Sequence, residues 1–313
     1  MSITQHLTFA RTALATLLAA TLIAGITGCS SDSSSPNPNI KTSDSYKIEY
    51  IPGAMDAAMG KTQFQISVTD RTTKDAITGE MVTLMPMMYM ADNTHSTPVD
   101  GACTESSTAG TYNCTVFYVM ADVDATGASI GDWELTVMIG GMSGESVIFA
   151  PSVGMAMGGT AMVKLKNSNL TMMSMEGPVA RTFQIFKSSL TGVTDNHTFE
   201  MFTSTMETMM SFPAVDTSVT LNTGTINELP ITSMSVAVST TPTFDVTYDA
   251  SEDSNGYWTA TGITGLTDGT ETELYVRVII NTNTLNNSID GVFVDEATTP
   301  SYATFTVTPS APM

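Results

Sequence analysis

Met81-Val-Thr-Leu-Met85-Pro86-Met87-Met88-Tyr89-Met90, followed by His95, is the densest run of thioether side chains in the sequence. Thioethers are soft, uncharged donors, and soft donors select copper(I). They also stay usable outside the cytoplasm, where free thiols oxidise. Imidazole suits copper as well, so His95 could complete the set. On a strand, residues two apart share a face and lie about 6.8 Å apart. Met85 and Met87 then share one face and Met88 and Met90 the other, and either pair could converge with side chains of neighbouring strands. The expected ligands are Met85, Met87, Met88, Met90 and His95, and the expected cofactor is copper(I). Pro86 cannot donate to a ladder, which places the segment at a sheet edge or strand end.

Of 23 methionines, 20 fall between Met55 and Met210, a boundary that plain core filling has no reason to respect. Shorter clusters occur at Met155 and Met157, at Met172, Met173 and Met175, and at Met206, Met209 and Met210 near His197. The competing reading is packing, since methionine fills irregular cores. Met120 and Met138 are read as doing only that.

The elements that would carry these side chains are short strands. Phe64, Ile66 and Val68 alternate with Gln65, Ser67 and Thr69, and Trp133, Leu135, Val137 and Ile139 alternate with Glu134, Thr136 and Met138. Leu274, Val276, Val278 and Ile280 repeat the pattern, as do Phe305 and Val307 among threonines. Period two with one apolar face argues antiparallel strands packed face to face. Many such strands between Gly, Asn, Asp and Ser clusters make the expected fold all-β, two Ig-like antiparallel β-sandwich domains. A weak echo, Phe64-Gln-Ile against Phe183-Gln-Ile, supports two units. They are placed at 46–153 and 179–313, with 154–178 as a Met- and Gly-rich linker or first strand.

Residues 1–28 read as an export signal: Arg11, an apolar run from Ala13 to Ile26, then Gly28 before Cys29. The run is too short for a comfortable permanent span. A small residue before cysteine resembles the bacterial lipobox, so Cys29 is the expected lipid attachment site. Residues 29–45 then form a flexible tether, polar and containing proline. Cys103 and Cys114 remain, with ten residues between them in a Ser-, Thr- and Gly-rich stretch, and exported chains keep disulfides. A hairpin-like disulfide is expected; a two-thiol metal site lacks the CxxC spacing.

Gly60-Lys-Thr-Gln-Phe-Gln-Ile-Ser-Val-Thr-Asp70, Met85-Pro-Met87 with His95 and Pro98, Gly110-Thr-Tyr-Asn-Cys-Thr-Val-Phe117 and Gly131-Asp-Trp-Glu-Leu-Thr-Val137 follow in one order. That order resembles the small YtkA-like/FixH-like domains of exported bacterial proteins, mainly over 60–148. The resemblance implies an Ig-like β-sandwich and an association with copper handling. The chain has no second histidine near His95.

Lys plus Arg total 11 against 31 Asp plus Glu, a net charge of −20. Nucleic-acid binding rests on cations displacing counterions from phosphate, so nucleic acid is excluded as a partner. The apolar share of 42% is ample for a core. No GxSxG elbow, HExxH, phosphate loop or dinucleotide fingerprint is present, and the chain is not expected to be an enzyme. The oxygen-rich loop Asp249 to Gly256 departs from the EF-hand pattern and reads as a solvated turn. The expectation is a lipid-anchored protein of the bacterial cell envelope, held to the membrane through Cys29. It would bind copper(I) as a metallochaperone or tolerance factor and meet a copper-handling protein partner. The alternative is a structural or adhesive surface lipoprotein whose methionines serve as core and contact surface.

Overall fold

The computed structural model describes residues 37–174, 177–193, 195–217, 219–253, 255–287 and 299–310. The expected signal, Cys29 and residues 29–36 of the expected tether lie outside them. The rest of that segment is not a free tether, because Ile40–Thr42 is a strand paired to Tyr46–Pro52. Every regular element described is a strand, and every strand pair is antiparallel. No helix long and apolar enough to cross a membrane occurs among the described residues.

The first half forms two layers. One sheet runs Ile40–Thr42, Tyr46–Pro52, Gly60–Asp70, Thr111–Tyr118 and Thr104–Glu105 in spatial order. The other runs Thr94–His95, Val82–Tyr89, Asp132–Ile139 and Glu145–Phe149. Alternation sends Ile48, Phe64, Ile66, Val68, Val116 and Tyr118 inward from the first sheet. Val82, Leu84, Met88, Trp133, Leu135 and Val137 meet them from the second. Each large apolar side chain so buried contributes about 1.5–3 kcal/mol, which fixes the register, because a one-residue slip would turn the whole set to water.

Cys103 ties the layers together. Its amide donates to the Val82 carbonyl of the second sheet at 2.8 Å, and its sulfur is bonded to Cys114 of the first. The expected disulfide is therefore present, between residues 11 apart with a Cα–Cα distance of 4.6 Å. The short strand Thr104–Glu105 pairs back onto Thr111–Tyr118, so the bridge closes a hairpin.

The second half builds its own core. Met162–Ser174 pairs with Gly177–Val193, followed by Asn196–Thr205 and Tyr257–Ile263. Facing this sheet, Thr272–Ile280 pairs with Met234–Ser239 and Ala303–Val307. Leu274, Val276, Val278, Ile280 and Phe305 pack with Phe183, Ile185, Phe199 and Trp258. Both tryptophans are the second residue of their strand and are buried.

A third apolar group joins the halves. Phe117 projects from the outer face of the first sheet and stacks on Phe202, centroids 4.1 Å apart and planes 6° from parallel, with Phe186 alongside. Around this triad Tyr257 Oη donates to Asp100 at 2.8 Å and the Ser96 amide donates to the Met209 carbonyl at 2.7 Å. Gly60, at φ +98°, brings its backbone so close that a Cβ there would lie 2.7 Å from Ala161 Cβ. Only glycine combines that conformation with that approach.

Candidate metal centre

The strand Val82–Tyr89 runs without interruption through Pro86. Asp132–Ile139 flanks it along its whole length, whereas the other flank holds only Thr94–His95, paired to Met88 and Tyr89. The Pro86 carbonyl points to that open flank and accepts from Ser96 Oγ at 2.8 Å. A proline nitrogen on that side leaves no ladder bond unmade. The edge position expected from Pro86 is where the residue sits.

A tight turn then reverses the chain, with the Met90 amide donating to the Asn93 carbonyl at 2.9 Å. Asp92 and Asn93 are turn-forming residues. The reversal sets His95 directly across from Met88, and Met88 is directly across from Trp133 on the next strand. Residues opposite one another in an antiparallel ladder share a face. Histidine, methionine and tryptophan thus form one inward-facing row: Met88 is fully buried and His95 is 6% exposed.

His95 is oriented from both ring nitrogens. Nδ1 lies 2.8 Å from the Ser96 carbonyl. A carbonyl only accepts, so Nδ1 carries the proton, and in the neutral ring Nε2 presents a lone pair. That lone pair faces Met120 Sδ at 3.1 Å. Trp133 sits edge-on to the imidazole, centroids 5.5 Å apart, and donates Nε1–H to the Met120 carbonyl at 3.2 Å. Met88 Cε and Met90 Cγ both lie 2.9 Å from where a Cβ on Gly131 would be, two residues before Trp133. A chain of bonds fixes the support: Ser96 is held by Pro86 and by Met209, and Thr97 Oγ1 donates to the Phe117 carbonyl at 2.5 Å.

This grouping selects among the expected ligands. His95 and Met88 lie in one row with Trp133, and Met90 packs beside Met88 at Gly131. Met85 and Met87 project from the opposite face of the same strand, Met85 exposed and Met87 buried outside the core. Cys103 and Cys114 are joined to each other. Sequence reasoning assigned Met120 to packing alone. A signal for it existed: Cys114, Val116 and Tyr118 alternate inward, and Met120 continues their parity past the strand end.

An imidazole whose other ring nitrogen is locked by a backbone carbonyl has the orientation in which histidine ligates metals, and here a thioether lies against its remaining nitrogen. Soft donors without charge suit a monovalent soft cation. Among the described residues no three His, Cys, Asp or Glu side chains gather as a hard or borderline metal would require.

The other histidine among the described residues, and the acidic loops, are engaged in structure. His197 is buried and lies 2.9 Å from Asp268 through Nε2. Asp124 accepts from Thr126 and Ala128 within its own turn, bonds that hold its carboxyl below the ordinary value. Glu252 accepts from Thr217.

No protein-family model matches the chain, and no curated protein matches it. Among solved structures it is similar to an endo-fucoidan hydrolase of glycoside hydrolase family 107, at 10% identity and a TM-score of 0.21. That match covers 84% of this chain and 28% of the hydrolase, so the chain spans little more than a quarter of that protein's length.

Proposed function

We propose that the protein is a lipid-anchored protein of the bacterial envelope that binds copper(I) at His95, Met120, Met88 and Met90, as a metallochaperone or copper-tolerance factor. The observation that carries this reading is the His95 Nε2 lone pair set against Met120 Sδ at 3.1 Å, with the other ring nitrogen committed to a backbone carbonyl. The three thioethers bring no charge to a buried place, so a monovalent cation entering it meets soft donors and no anion that would favour a divalent ion. Trp133 packs edge-on against the imidazole and holds Met120 through its backbone.

The first sandwich is read as an Ig-like, YtkA-like/FixH-like module, on the spaced motifs between Gly60 and Ile148. Lipid on Cys29 would hold it at the membrane, and a copper-handling protein would supply or receive the metal. Chelator competition on the full-length protein tests the reading. His95→Ala and Met120→Leu should each weaken copper(I) binding by about tenfold or more, the scale on which ligand surroundings act. Binding that survives both changes at full strength overturns it.

A further inference from the structure

On the far side of the first sandwich, at its junction with the second half, two methionine-bearing loops run together. The Gly154 amide donates to the Ala57 carbonyl at 2.9 Å, and the Met59 amide donates to the Gly154 carbonyl at 2.9 Å. A parallel bridge between Ala58 and Gly154 closes the pair. Between the loops and the strand edges lies an open groove of about 310 Å³, walled by Met55, Met59 and Met157 together with Asp56, Lys61 and Lys187. Met55 is 71% and Met157 69% exposed. Long apolar side chains left in water on a fixed backbone gain nothing from packing.

We infer that this groove is a second soft-metal site, taking a monovalent copper(I) ion on the thioethers of Met55, Met59 and Met157. The inference shares the soft-donor chemistry of the proposed function but uses none of its residues. The two ammonium groups at the wall are already engaged. Lys61 Nζ donates to Ser188 Oγ at 2.7 Å and lies 3.8 Å from Glu200, and Lys187 Nζ donates to the Gly158 carbonyl at 2.9 Å. Asp56 supplies the negative charge that a cation arriving from solvent meets first. The groove is open and no imidazole lines it, and a thioether sulfur takes up no proton near neutrality, so protons do not compete for any of the three donors. Capture in the groove is therefore independent of pH near neutrality and exchanges faster than at buried His95.

Silver(I) is a redox-stable probe of the same soft, monovalent class. In the full-length protein labelled with ¹³C at the methionine methyls, silver(I) should shift the resonances of Met55, Met59 and Met157. The triple change Met55→Leu, Met59→Leu and Met157→Leu should lower the bound silver by one ion per chain and leave the methyl shifts of Met88, Met90 and Met120 in place. Unshifted methyls at the three groove residues, or unchanged stoichiometry in the triple variant, overturns the inference. Loss of the groove ion with no loss on His95→Ala would sink the proposed function and leave the groove standing. The reverse pattern sinks the groove alone.

Discussion

The Nδ1 proton of His95 is committed to the Ser96 carbonyl, so the ring cannot turn without breaking a buried bond. What remains is one nitrogen and its contact with one sulfur, and the two can be probed separately from the fold. Met120→Leu keeps volume and removes sulfur. It should cost under about 1.5 kcal/mol in denaturant unfolding while weakening copper(I) binding by about tenfold, so the two measurements part company. Gly131 tests the other side of the cluster. A Cβ there would lie 2.7 Å from the Tyr89 carbonyl and 2.9 Å from Met88 Cε and Met90 Cγ. Gly131→Ala should therefore destabilise the protein by about 1–3 kcal/mol, the usual range for overpacking, and displace both thioethers. A Gly131→Ala protein with wild-type stability and unchanged methionine methyl shifts would contradict this geometry.

Among the elements, the hairpin closed by Cys103 and Cys114 gives the clearest stability forecast. Closing a loop between residues 11 apart restricts the unfolded chain by roughly 3 kcal/mol in the chain-entropy treatment. Replacing both cysteines by serine should lower unfolding free energy by about that amount, and reduction of the native protein should do the same. The entering segment has an acid-sensitive clasp. Hydrogen bonds from the Ser43 side chain first, then from Ser45 Oγ at 2.6 Å and the Ser45 amide at 2.9 Å, pull the Glu145 carboxyl down to about 2 from an ordinary 4.5. A depressed carboxyl contributes stability above the unfolded value and loses it as pH falls toward the folded one. Exchange of the Ser45 amide, corrected for its intrinsic rate, should thus accelerate between about pH 4.5 and 2. In Glu145→Gln that extra acceleration should vanish.

Strand identity and inward faces could be read directly, because the period-two patterns of Phe64 to Val68, Trp133 to Ile139 and Leu274 to Ile280 are local. The cysteine pair was legible from count and context. Which methionine face meets His95 was not. Met85 and Met87 obey the same alternation as Met88 and Met90, and only the turn at Met90 to Asn93 decides that His95 lands across from Met88. Met120 packs on the first core as its reading had it, but its contact with His95 was not legible, because it lies beyond the end of its strand, where propensity ends but side-chain parity persists.

At the scale of the whole molecule, the stack of Phe117 on Phe202 couples two cores that form separate clusters among the described residues. Trp133 reports on one core and Trp258 on the other. Single-tryptophan variants should show coincident unfolding transitions while the stack is intact. Phe117→Ala removes a fully buried ring at a cost of about 3–5 kcal/mol, and should separate the two transitions. Coincident transitions in that variant would mean that the polar contacts alone hold the halves together.

Ser96 extends that coupling to the donors themselves. Its carbonyl aims the imidazole, its hydroxyl grips Pro86, and its amide is held by the Met209 carbonyl, a residue of the second half. A fragment ending near Val153 would keep His95, Met120, Met88 and Met90 yet lose the amide's partner, and with it part of the preorganisation that lets a ligand set close without first finding its pose. If His95 binds the metal as proposed, the second half takes part in that site without lending it a donor atom, because it removes the rotational freedom of one.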